Sequence, residues 1–265
     1  MTPQRPVSSI GRWWWLAVAS LTIGLVVLAP ATLLERVITQ SSNAGVRFAA
    51  DSGTIWTGRG QLTVVTDTVP LVIPVVWRFD PRALPGLRLG FIVEASAPAL
   101  SGSARVAWRP GEIELRATSL SADARLLTVA HPATALFSPI GMVRLQQSGD
   151  ERLGVRPATK INEAWRVDGA ISFHAEQLTF GGIINAPVGS HEISLRGEGS
   201  TVKMSVLRSS GALKLEGAGT VVLATPRRIT FSGFATVAED APSVLKQLGP
   251  LLPDGRQRIE LNNTW

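Results

Sequence analysis

Between Trp13 and Leu34 the chain carries no charged side chain for 22 consecutive residues. About 20 apolar residues of helix cross a bilayer core, so this run predicts one transmembrane helix over 13–34. Trp13, Trp14 and Trp15 stand at its start, where indole rings favour the headgroup level. Leu16, Leu21, Leu25, Val26 and Leu28 supply the anchor's apolar side chains. Arg5 and Arg12 precede the run, and the positive-inside tendency then keeps residues 1–12 in the cytoplasm. Everything beyond is expected on the far side, as a helical stalk or linker over 35–45 and an exported β-domain over 46–265. The competing reading is a cleaved leader, because Ala29-Pro30-Ala31 loosely matches a small-x-small processing site. Pro30 at the centre of that site, and the length of the run, favour the retained anchor.

Past the anchor the pattern changes to short alternating segments. The chain has 25 Gly and 17 Pro in 265 residues, a turn-former about every six residues, which suits many short strands. The segments 46–49, 54–66, 71–79, 87–97, 102–109 and 112–118 follow one another at intervals of about a dozen residues. In the second half, 165–180, 191–196, 202–207, 211–223 and 228–237 read the same way, with a last strand near Ile259-Glu260-Leu261. Two short helices are expected, over 132–137 and 241–248; the latter has Pro242 in its first turn and Gly249-Pro250 as its stop. The fold class is all-β: an N-terminal transmembrane helix, then a large antiparallel sheet, curled or barrel-like. Trp56-x-x-x-Gly60-x-Leu62 is echoed by Trp165-x-x-x-Gly169-x-Ile171, and Leu100-x-Gly102 by Leu215-x-Gly217. That order leaves open two similar β-units, 46–137 and 138–265.

The chemistry-bearing residues exclude more than they suggest. Zero Cys rules out a disulfide framework, a Cys-ligated metal and a thiol nucleophile. The 26 basic against 20 acidic residues give +6, but no basic run interleaves with aromatics as a nucleic-acid groove requires. The Gly-x-Gly pairs at Gly58/Gly60, Gly197/Gly199 and Gly217/Gly219 lack the third glycine of a dinucleotide fingerprint. His174 and Glu176 share a strand face, and His191-Glu192 are adjacent, yet no third metal ligand accompanies them. Glu112 and Glu114 also share a face, as an exposed pair rather than a glycosidase pair. Glu239-Asp240 reads as a helix cap. No catalytic, metal-binding or cofactor-binding residues are assigned. Trp77-Arg78, Trp108-Arg109 and Trp165-Arg166 alternate in one sense: if each Trp points inward, each Arg lines the opposite surface.

Gly53-Thr54-Ile55-Trp56-x-Gly58-x-Gly60-x-Leu62 follows the apolar run by a few tens of residues, and Val76-Trp77-Arg78-Phe79-x-Pro81 comes next. The tail carries Leu213-x-Leu215-x-Gly217-x-Gly219, Pro226-Arg227, Leu245-x-x-Leu248-Gly249, Asp254-Gly255-Arg256 and Trp265. This ordered set resembles the type II secretion system protein N family (general secretion pathway protein N). Gly53, Trp56, Gly58, Gly60, Trp77, Gly102, Trp165, Gly217, Gly219 and Gly255 are the structural motif positions within it. The resemblance implies a non-enzymatic, single-pass inner-membrane protein of bacteria with a periplasmic β-domain. Its implied partners are other secretion-system components and the inner membrane. A curled sheet with an open apolar trough would instead suit lipid binding or lipid transfer.

Overall fold

The computed structural model describes residues 10–41, 46–64, 70–126, 139–147, 151–158, 164–180, 184–247 and 249–264. Contacts divide the chain into two units. The first runs to Val72 and includes Val76–Arg78; the second takes Ile73–Val75 and everything from Phe79 on.

In the first unit, α1 spans Ile10–Val27 and α2 spans Thr32–Ser41, followed by β1 (Val46–Gly53) and β2 (Thr57–Val64). Helical geometry therefore stops at Val27 and resumes at Thr32. Pro30 explains the break: it has no N–H to donate, and its ring disfavours helical dihedrals at Ala29. The side chains from Trp14 to Leu28 are exposed, Gly24 apart. Among the described residues no helix is long and apolar enough to cross a membrane. β1 and β2 form an antiparallel hairpin from Val46↔Val64 to Gly53↔Gly58, with a bulge between Ala50 and Ser52.

β3 (Leu71–Asp80) is divided between the units. The second unit continues with a 3₁₀ turn at Pro81–Gly86, β4 (Leu89–Ala97), β5 (Leu100–Arg109) and β6 (Glu112–Asp123). Then come β7 (Pro139–Gln146), β8 (Arg152–Arg156), β9 (Arg166–Phe180), β10 (Ile184–Gly199) and β11 (Thr201–Ser210). β12 (Leu213–Val222), β13 (Arg228–Val237) and β14 (Gln257–Thr264) complete it. From β4 the strands pair in the order β4-β5-β6-β7-β9-β10-β11-β12-β13-β14, and β8 pairs with both β6 and β9. All of these pairings are antiparallel, as short strands joined by tight turns require. The helix expected over 132–137 lies outside the described residues. The one expected over 241–248 is a 3₁₀ turn, Ser243–Gln247, because Pro242 and Gly249-Pro250 leave too little chain to close an α-helix.

Register and alternation sort this unit's side chains onto two faces. Leu89, Trp108, Ile113 and Val155 stand opposite one another across β4, β5, β6 and β8. Ile171, Leu195, Met204, Gly219, Phe231 and Leu261 continue that face from β9 to β14. The other face is polar: Arg105, Arg116 and Arg152 align on β5, β6 and β8, and Arg196, Lys203, Thr220, Thr230 and Asn262 align on β10 to β14. The apolar face is sealed best near one end. There Leu245 of the 3₁₀ turn, 2% exposed, packs with Ala241, Val188, Leu213 and Ala235. Elsewhere Leu89, Phe91, Leu115, Leu195 and Phe231 are only half-buried.

Candidate functional site

The resemblance motif folds into a clasp on the end of α1. Gly53 takes φ +106, and a Cβ there would overlap the Thr57 carbonyl oxygen, so glycine is required where β1 turns. The Thr54 hydroxyl accepts hydrogen bonds from the Trp56 and Thr57 amides at 3.2 and 3.3 Å, closing the turn locally. That turn reaches the helix end in four places. The Trp56 indole N–H donates to the Val26 carbonyl at 2.8 Å, and the Ile55 amide to the Ala29 carbonyl at 3.0 Å. The Ala31 amide donates to the Gly53 carbonyl at 3.2 Å, and Pro30 bridges Thr54. Where α1 stops, the Val26 carbonyl thus accepts from the motif as well as weakly from the Ala29 amide at 3.4 Å, and the Ala29 carbonyl is capped by the motif. Trp77 supports the turn from beneath, donating its indole N–H to the Thr54 carbonyl at 3.3 Å. Its ring meets Phe48 edge-on at 5.4 Å. A Cβ on Gly58 would lie 2.6 Å from that indole, so the Gly-x-Gly spacing is a seat for Trp77.

The structure brings Gly53, Trp56, Gly58, Gly60 and Trp77 together in this way. It does not bring Gly102, Trp165, Gly217, Gly219 and Gly255 together. Gly102 lies in β5, Trp165 just ahead of β9, Gly217 and Gly219 in β12, and Gly255 in the turn before β14. Of the anchor residues, Trp13 lies in α1, and the side chains of Trp14, Trp15, Leu16, Leu21, Leu25, Val26 and Leu28 are exposed on or just beyond it. The Trp–Arg alternation places Trp77 in the interior at 5% exposure, but Trp108 and Trp165 are 47% and 44% exposed. A core position needs a second layer above it, and none of the described elements covers this end of the apolar face.

The carboxylates singled out by spacing sit in an arginine field. Glu114, 2% exposed, is gripped by Arg88 and Arg116. Glu112 accepts from Arg109 Nε and Arg156 Nε, each at 3.0 Å. The Arg109 hydrogen bond chiefly holds the Glu112 carboxyl below its ordinary range; burial opposes the shift and Arg156 adds to it. Both carboxylates are occupied by guanidinium groups rather than facing one another across a cleft. His174 Nε2 stands 4.0 Å from Glu192, and His191 is buried with Nδ1 at 2.8 Å from the Ser209 hydroxyl. Among the described residues no group of three metal-ligating side chains exists.

Among the described residues one sheet edge is open. The Arg258 amide donates away from β13, to the Pro250 carbonyl at 3.0 Å, and Leu251 bridges Gln257. By alternation the amides of Glu260, Asn262 and Thr264 face the same side. There β14 has no strand partner other than β13 among the described residues.

A family model for type II secretion system protein N matches residues 44–260. The chain belongs to the type II secretion system protein N family. The match spans the clasp motif and nearly all of the two-faced sheet, while α1 and the last residues of β14 lie outside it. Neither a curated relative nor a solved structure matches the chain. Sequence reasoning missed the clasp's partner, Val26, because it lies 30 residues away and is recognised only through its backbone.

Proposed function

We propose that the chain is a non-enzymatic accessory component of the type II secretion machinery, held in the inner membrane by segment 13–34 and acting in the periplasm through its β-domain. Family membership supports the system, and the clasp supports the tether. Of the segment 13–34, Trp13–Val27 lies in α1, about 22 Å of rise against a bilayer core of about 30 Å, and Leu28–Leu34 adds apolar chain beyond it. Leu21, Leu25 and Leu28 are 66–74% exposed, a surface that lipid rather than water would solvate. Irregular backbone at membrane depth must have its polar groups satisfied. The Trp56 and Ile55 N–H groups do this for Val26 and Ala29.

Tethering confines the sheet near the membrane and raises its effective concentration for membrane-bound partners. The open edge of β14 then accepts a partner strand through main-chain hydrogen bonds. The test is deletion of the chain in a strain carrying the rest of the apparatus. Exoproteins should accumulate in the periplasm, and the full chain should restore release; undiminished release in the deletion strain would sink the proposal.

A second reading, lipid binding or transfer, draws on a different observation. The apolar face is continuous from β4 to β14 and largely half-buried, with Trp108, Ile113 and Leu261 40–47% exposed. Mass spectrometry of residues 40–265 released without detergent should then find lipid; lipid-free protein would exclude this reading.

A further inference from the structure

On the charged face, the 3₁₀ turn Pro81–Gly86 lies beside β4 and encloses a cavity of about 270 Å³. Gly90 makes the close approach possible, since a Cβ there would stand 2.6 Å from Ala83 Cβ and 2.7 Å from the Asp80 carbonyl oxygen. Four arginines line the cavity: Arg82, Arg88, Arg105 and Arg116. Three acids answer them. Asp80 lies 4.0 Å from Arg105, Glu112 lies 3.9 Å from Arg88, and Glu114 holds Arg88 and Arg116. The four arginines therefore outnumber these acids by one, and Arg109 and Arg152 add to the field around the cavity. Burial first, then repulsion by Arg109, Arg116 and Arg152, pushes the Arg88 guanidinium below its ordinary pKa, with Glu112 opposing.

We infer that this cavity is a binding site for a phosphate monoester group. Donor geometry separates it from a carboxylate. A carboxylate offers two oxygens in one plane, whereas a phosphate monoester carries about −1.5 to −2 and offers three acceptor oxygens to guanidinium forks that come from four positions around the cavity. The site lies on the sheet face opposite the apolar one, so its occupant is selected by charge and not by an acyl chain. The same chemistry is offered by a lipid phosphate headgroup and by a soluble phosphate.

The test is calorimetric titration of the full-length chain in maltoside detergent with inorganic phosphate, against chloride at equal ionic strength. Arg88 is left intact, because removing it would strand the buried Glu114 carboxylate. The variant is the double substitution Arg82→Gln/Arg105→Gln, at two exposed side chains, with Arg144→Gln on the same face as control. Phosphate should bind where chloride does not, the double variant should lose at least tenfold in affinity, and the control should keep it. Dihexanoyl phosphatidic acid and dihexanoyl phosphatidylcholine identify the source. Tighter binding of the former than of inorganic phosphate, with none by the latter, assigns a lipid headgroup; weaker binding assigns a soluble phosphate. Equal heats with chloride, unchanged affinity in the double variant, or binding of polyglutamate in place of phosphate would overturn the proposal.

Discussion

Trp56 shows how one side chain joins two levels of the structure. Its ring sits in a turn of the sheet, and its single polar atom caps a helix 30 residues earlier. Trp56→Phe removes the donor and keeps most of the ring, so the full-length chain should lose about 1 kcal/mol, the usual net worth of such a bond. A denaturation midpoint measures it, and an unchanged midpoint would remove Trp56 from the clasp. His191 acts through its proton. The Ser209 hydroxyl donates to the Leu213 carbonyl at 3.4 Å and accepts from the Leu215 amide at 2.7 Å. It also shares a 2.8 Å hydrogen bond with His191 Nδ1. Burial depresses this histidine's pKa, so the unfolded chain binds the proton more readily than the folded one. Stability contributed by neutral His191 is present above its ordinary value of about 6.5 and is lost as pH falls below it. In His191→Asn the unfolding midpoint should fall less steeply below that pH; equal slopes would contradict the assignment.

At the scale of elements, β14 and the Ser243–Gln247 turn do different work. Because the Asn262 amide faces away from β13, proline there removes no ladder bond, and edge strands tolerate it. Asn262→Pro should leave the unfolding midpoint nearly unchanged while lowering exoprotein release; normal release would mean that the edge is not used. Leu245→Ala empties a site that is 2% exposed and should cost about 2–5 kcal/mol, read from denaturant unfolding. The strands themselves were legible from alternation: the segments expected over 71–79, 87–97 and 228–237 are found at Leu71–Asp80, Leu89–Ala97 and Arg228–Val237. The strand expected from Thr54 begins only at Thr57, because Thr54 to Trp56 turn aside to make the clasp. Alternation also pointed to arginines opposite tryptophans. It could not show that Arg88, just ahead of β4, converges with Arg105, Arg116 and Arg152 on β5, β6 and β8, since only the folded chain reveals the strand order.

For the whole molecule, the sequence pattern foretold an all-β architecture, and the ordered motifs carried the resemblance to the protein N family that the family match establishes. Alternation alone does not say whether a sheet's apolar face is covered. That depends on a second layer, and the exposure of Trp108 and Trp165 reports that the described elements provide none there. The account thus rests on a sheet displayed outside the inner membrane and joined by its edge to the secretion apparatus. The natural chain has no cysteine, so an Asn262→Cys variant carries a single thiol. The most direct measurement adds an impermeant, photoactivatable maleimide to spheroplasts that contain the whole apparatus. The account predicts labelling without permeabilising the inner membrane, and a light-dependent adduct with another secretion-system component; labelling only after permeabilisation, or no such adduct, would contradict it.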